Sequence, residues 1–130
     1  MRVVGFVLLL VGLGCSDPGP VQQTHRGRLE EGDSVHPQDG SFYDAYTFET
    51  KQGASIVVEL RSDDFDPYLL LNGPEGDQLA QNDDVSEGDL TARLALTAPA
   101  DGTYTVFANS RSAGETGAYT LTIEARPAAP

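Results

Sequence analysis

The densest chemistry in this sequence is a run of carboxylates. Asp63, Asp64, Asp66, Glu75, Asp77, Asp83, Asp84, Glu87 and Asp89 follow one another with no Lys or Arg between Arg61 and Arg93. Calcium takes about six to eight oxygen ligands, so Asp66, Asp83 and Asp84, carried on two loops, are candidate calcium ligands, and repulsion among the carboxylates would favour a cation. The run does not fit the EF-hand loop, which needs alternating Asp or Asn, a Gly and a trailing Glu. Turn chemistry is the other reading of the same residues. Asp66 ahead of Pro67, and the pair Asp83 and Asp84, suit Asx turns that cap strand ends. The sequence leaves both readings open.

Catalytic groups are scarce. His25 and His36 are the only histidines, and both fall in what reads as an N-terminal loop region, where a solvated imidazole is expected rather than a general base. A paired-carboxylate hydrolase is the enzymatic alternative, but with acids this plentiful no pair stands out. The expectation is a protein that is not an enzyme. The chain has no Trp. Tyr46, Phe48, Tyr104 and Tyr119 fall on predicted core rows, which leaves Phe42, Tyr43, Phe65, Tyr68 and Phe107 for either a partner surface or a second core row. Phe65 and Tyr68 are the candidate partner contacts.

Charge narrows the partners. Twenty acids against eight bases give −12, and Arg26, Arg28, Arg61, Arg93, Arg111 and Arg126 come one or two at a time along the chain. Nucleic acid, which needs clustered cations, is therefore excluded as the expected partner. A divalent cation or a basic surface suits this balance, as does a plain solubilising role for the acids.

The N-terminus reads as an export signal over residues 1–15. Arg2 precedes an apolar run from Val3 to Leu13, too short to span a bilayer, and Gly14 and Cys15 follow. Cys15 is the only cysteine, so an intramolecular disulfide is impossible. A lone Cys after an apolar run and a glycine resembles the lipobox of bacterial lipoproteins, which implies lipidation at Cys15 and a membrane anchor. The pattern departs from the lipobox in having Gly12 where Leu is preferred. Residues 16–24 read as a flexible tether, and 127–130 as a disordered tail.

Between them, over residues 25–126, apolar and polar residues alternate in short runs broken by turn residues, the period of half-buried strands. Ile56, Val58 and Leu60 oppose Val57 and Glu59; Tyr119, Leu121 and Ile123 oppose Thr120, Thr122 and Glu124. Similar runs surround Phe48, Leu94 and Val106, with shorter ones at Pro67 to Leu71 and Gln78 to Gln81. Turns at Asp39-Gly40, Asn72-Gly73-Pro74 and Asp101-Gly102 divide them. Seven to eight strands at this spacing predict an all-β fold, an antiparallel β-sandwich.

The order of short motifs is similar to that of the bacterial pre-peptidase C-terminal domain family, which includes the collagen-binding domains of bacterial collagenases. The motifs are Gly27-Arg-Leu-Glu-Glu-Gly-Asp33, Asp44-Ala-Tyr-Thr-Phe48, Phe65-Asp-Pro-Tyr-Leu69, Gly76 with Leu79-Ala80, Asn82-Asp83-Asp84, Asp101-Gly-Thr-Tyr-Thr-Val106 and Gly117-Ala-Tyr-Thr-Leu121. The resemblance covers Gly27 to Glu124 and implies a jelly-roll-like sandwich, secreted and non-catalytic, often attached to a protease. Some relatives bind collagen or calcium. The acidic segment that carries calcium ahead of the first strand in those relatives has no counterpart at Val21 to Arg26, whereas Asp39 and Asp44 match acids preceding their aromatic strand, so half of such a site is retained.

The expected protein is thus an extracytoplasmic accessory module, lipid-anchored to a bacterial membrane or else secreted, that recognises a protein or polymer surface; a calcium-stabilised structural domain is the alternative. Lipidation is testable directly. Expressed in a bacterium fed a labelled fatty acid, the chain is expected to incorporate label and partition with membranes, and Cys15→Ala to do neither; equal labelling of the two would overturn the lipobox reading.

Overall fold

A strand buried on one side needs one apolar row, and its other row is free to be polar. That pattern organises the computed structural model, which describes residues 19–35, 40–83 and 90–128. Nine strands and no helix are found among them: β1 (Val21–Leu29), β2 (Ser34–Val35), β3 (Phe42–Thr50), β4 (Ser55–Arg61), β5 (Pro67–Asn72), β6 (Gln78–Asn82), β7 (Thr91–Thr97), β8 (Gly102–Ser110) and β9 (Gly117–Arg126). They form two antiparallel sheets, β1-β9-β4-β7 and β2-β3-β8-β5-β6, packed as the sandwich that alternation predicts.

The inner rows interlock into one core. Ile56, Val58 and Leu60 from β4, with Leu121 and Ile123 from β9, meet Leu69, Leu71 and Val106 from the other sheet, all fully buried. Tyr104 is also fully buried, and its phenol answers its own polar need by donating to the Ala100 carbonyl at 2.5 Å and accepting from the Ala100 amide. That bond ties the turn before β8 to the strand that follows it.

Three expectations change. The strand count is nine rather than seven or eight, because β1 and the two-residue β2 add to the alternating runs. The tether reading fails over Val21 to Thr24, which pair with Ala125 to Thr122 in a continuous nine-residue register between β1 and β9. β1 escapes a hydrophobicity pattern because its inward row is Val21, Gln23, His25, Gly27 and Leu29, with apolar side chains only at its two ends. His25 therefore lies in a strand and not in a loop. The export signal, Cys15, His36 and residues 129–130 lie outside the described residues.

The third change concerns Phe65. Expected as a partner contact, it is 4% exposed and belongs to the core, with its ring edge-on to Tyr119 at 6.4 Å. The loop carrying it is pinned by Ser62, whose hydroxyl accepts from the amides of Asp64 and Phe65 and donates to the Ala118 carbonyl. Truncating a buried Phe costs about 3–5 kcal/mol. Phe65→Ala is expected to lower the unfolding free energy by that amount in a urea titration; a loss within about 0.5 kcal/mol, the range of surface substitutions, would return Phe65 to the surface.

Candidate functional site

Parity on the strands decides which aromatics face outward. On the outer face of the five-stranded sheet, Tyr43 of β3 and Tyr68 of β5 stand on either side of Asn109 of β8. In the next row Ala45, Phe107, Leu70 and Gln81 run across β3, β8, β5 and β6. Tyr43 meets Phe107 edge to face at 5.4 Å. The Tyr68 hydroxyl donates to Gln81 Oε1 at 2.6 Å, and Gln78 Nε2 donates to the same oxygen. Tyr43, Tyr68 and Phe107 are half-buried, so each ring is held from below and open above.

Beneath them Asn109 is fully buried, donating from Nδ2 to Ser41 Oγ at 3.1 Å, while its Oδ1 has no partner among the described residues. Of the five aromatics outside the predicted core rows, three share this face. Phe42 instead packs against the core, and Phe65 is inside it. Tyr43 and Phe107, left without a role by sequence, are brought beside Tyr68 by the β3-β8-β5 pairing.

Of the candidate metal ligands, Asp44 and Asp83 stand far apart. Asp44 lies on β3 and Asp83 follows β6, with β8 and β5 between them, roughly 14 Å at the usual strand spacing. Asp44 accepts a hydrogen bond at 2.5 Å from the Tyr119 hydroxyl, which also bonds the Tyr46 hydroxyl. Asp66 receives the Arg111 amide on its backbone carbonyl, and Asp83 pairs with the Arg111 side chain at 3.6 Å. Asp39 and Asp84 lie outside the described residues. Among the described residues no group of three or more His, Cys, Asp or Glu side chains is arranged to hold a metal ion.

Several carboxylates serve turns instead. Asp64 Oδ2 accepts the Ala118 amide at 2.9 Å, Asp101 Oδ1 the Gln52 amide at 2.8 Å, and Asp33 Oδ2 the Glu30 amide at 3.0 Å. Asp64 docks so closely over Gly117, whose φ is +142°, that a Cβ there would stand 2.2 Å from the Asp64 Cβ.

The Tyr119 network joins the sheets at the edge formed by β1 and β3. His25 stacks on Tyr46 at 4.3 Å between ring centroids and bonds Gln23 Oε1. Burial lowers the His25 pKa. Burial first, then the bonds to Asp44 and Tyr46, push the Tyr119 phenol far above the usual tyrosine value.

The family model for the bacterial pre-peptidase C-terminal domain matches residues 42–110. No curated protein matches the chain in sequence. Among solved structures, the pre-peptidase C-terminal domain of a Bacillus anthracis collagenase superposes with a TM-score of 0.57 at 17% identity, over 79% of this chain and 89% of that one. PliG of Aeromonas hydrophila, a periplasmic inhibitor of g-type lysozyme, does so with 0.57 at 16% identity, over 83% and 87%. The Yersinia pseudotuberculosis-derived mitogen gives 0.53 at 16% identity, over 85% and 89%. At these identities the likeness is one of fold.

The raised Tyr119 pKa fixes the sign of an alkaline effect. The unfolded phenol loses its proton near pH 10 and the folded one keeps it, so this contribution to stability is complete below pH 10 and is lost as pH rises beyond it. Unfolding free energy is expected to fall more steeply between about pH 9 and pH 11 in the native protein than in Tyr119→Phe. Parallel profiles would remove Tyr119 as the cause.

Proposed function

The chain belongs to the bacterial pre-peptidase C-terminal domain family, and from that premise we propose that it is a non-catalytic binding module acting outside the cytoplasm, recognising a protein or polymer surface through the outer face of its five-stranded sheet. One observation carries the reading: Tyr43, Tyr68 and Phe107 stand together on that face, half-buried and held by neighbours. Rigid aromatic rings offer large contact area at low entropic cost, and a hydroxyl at the tip of Tyr can bond a partner. Gln78, Gln81 and Asn72 supply a polar border of the kind that surrounds binding patches.

The non-catalytic reading is supported by the family role and by the state of His25. His25, the one histidine among them, is stacked on Tyr46 and bonded to Gln23, with burial disfavouring its charged form. An extracytoplasmic setting agrees with the periplasmic location of PliG, a protein of the same fold that inhibits another protein. Cys15 as a lipid anchor would hold the module at a membrane. The charge of −12 favours a partner whose contact surface is basic.

Binding to immobilised g-type lysozyme and to collagen fibrils tests the reading with the two macromolecules that its structural neighbours suggest. Saturable binding to at least one is expected, weakened by tenfold or more, about 1.4 kcal/mol, in the double variant Tyr68→Ala with Phe107→Ala. Thr24→Ala with Thr122→Ala on the opposite sheet is expected to change nothing. Undiminished binding by a folded aromatic variant would overturn the assignment of this face.

A further inference from the structure

The outer face of the four-stranded sheet reverses the sign of the rest of the molecule. Arg26 on β1 and Arg61 on β4 are both in register with Thr120 on β9, so their backbones are two strand spacings apart, roughly 10 Å. Arg28 lies two residues along β1 on the same face, roughly 7 Å away. The three line a cleft of about 750 Å³, within the range of about 300–1,000 Å³ typical of ligand sites.

The pairing of arginines elsewhere makes this cluster distinctive. Arg93 pairs with Glu59 at 3.3 Å, Arg111 with Asp83 and Arg126 with Glu124. None of Arg26, Arg28 and Arg61 reaches a carboxylate within ion-pair distance among the described residues. In a chain with 20 acids and 8 bases, three arginines without an ion pair among the described residues thus line one cleft.

We propose that this cleft binds carboxylates of an acidic, extended peptide segment belonging to a protein partner. Guanidinium presents a planar fork that matches a carboxylate bidentately. Acids two residues apart on an extended peptide are spaced as Arg26 and Arg28 are, because both spacings are set by strand geometry. Glu30, Asp63 and Asp64 also line the cleft. These acids repel a dianionic phosphate more than a singly charged carboxylate, and they accept hydrogen bonds from the amides that a peptide carries. The site lies on the sheet opposite the aromatic face and stands independently of it.

Arginine Nε–Hε resonances of the full chain, titrated with the capped peptide acetyl-Gly-Glu-Ser-Glu-Gly-amide, test the proposal. Saturable shifts at Arg26, Arg28 and Arg61 are expected, with affinity falling about tenfold or more in Arg26→Gln with Arg61→Gln, two charge-assisted contacts being removed. Arg93→Gln on the same face is expected to bind as the native protein does. The peptide with Gln in place of both Glu is expected not to bind, and inorganic phosphate to bind more weakly than the Glu peptide. Absence of saturable shifts, an equal loss in Arg93→Gln, retained binding of the Gln peptide, or phosphate binding as tightly as the Glu peptide would each overturn the proposal. Unchanged unfolding of the exposed Arg→Gln variants separates lost binding from lost fold.

Discussion

Gly27 has no side chain, and the phenol of Tyr119 occupies the space that one would fill. A Cβ at Gly27 would stand 2.5 Å from the Tyr119 hydroxyl. Because that space is open, the Tyr119 side chain passes over β1 and reaches Tyr46 and Asp44 on the other sheet. The contact couples two things that are separate in the chain: the register of β1 on β9 and the closure of the sandwich along its β1–β3 edge. A slip of one residue would turn every β1 side chain to the opposite face, placing Arg26 and Arg28 inward and His25 in solvent. Val21 and Leu29 anchor the two ends of the inward row of β1 in the core, and between them the Gly27–Tyr119 fit adds to the specification.

Once that register is set, the two outer faces acquire different chemistry from ordinary strand pairing. β8 sits in the middle of its sheet and brings Tyr43 and Tyr68 together across Asn109, with Phe107 one row along. β9 sits between β1 and β4 and brings Arg26 and Arg61 together across Thr120. Among the carboxylates, Asp33, Asp64 and Asp101 accept backbone amides. Asp33 does so within its own turn, whereas Asp64 and Asp101 tie together segments distant in the chain.

Much of the fold was legible because burial of one sheet face imposes a period of two. The runs at Ile56 to Leu60 and Tyr119 to Ile123 carry that period in apolar residues and appear as β4 and β9. β1 was not legible, since Gln23, His25 and Gly27 give the period no hydrophobic signal; the only clue was Gly27 itself, which motif order noted without a reason. The aromatic residues were only partly assignable. Tyr68 keeps its place on the surface, whereas Phe65, in a loop with no period to read, is drawn inside by the bonds from Ser62.

By itself the sequence determined the all-β class, the antiparallel sandwich, the family likeness and the acidic character, because each rests on local pattern or on summed charge. Only the tertiary structure decided which side chains meet. Asp44 and Asp83 are held apart by two intervening strands, and Arg26, Arg28 and Arg61, scattered along the chain, are gathered into one cleft. The physical reason is that convergence in a sandwich depends on which strands become neighbours and in what register, and those are set by long-range fits such as Tyr119 over Gly27, which leave no periodic trace in the chain.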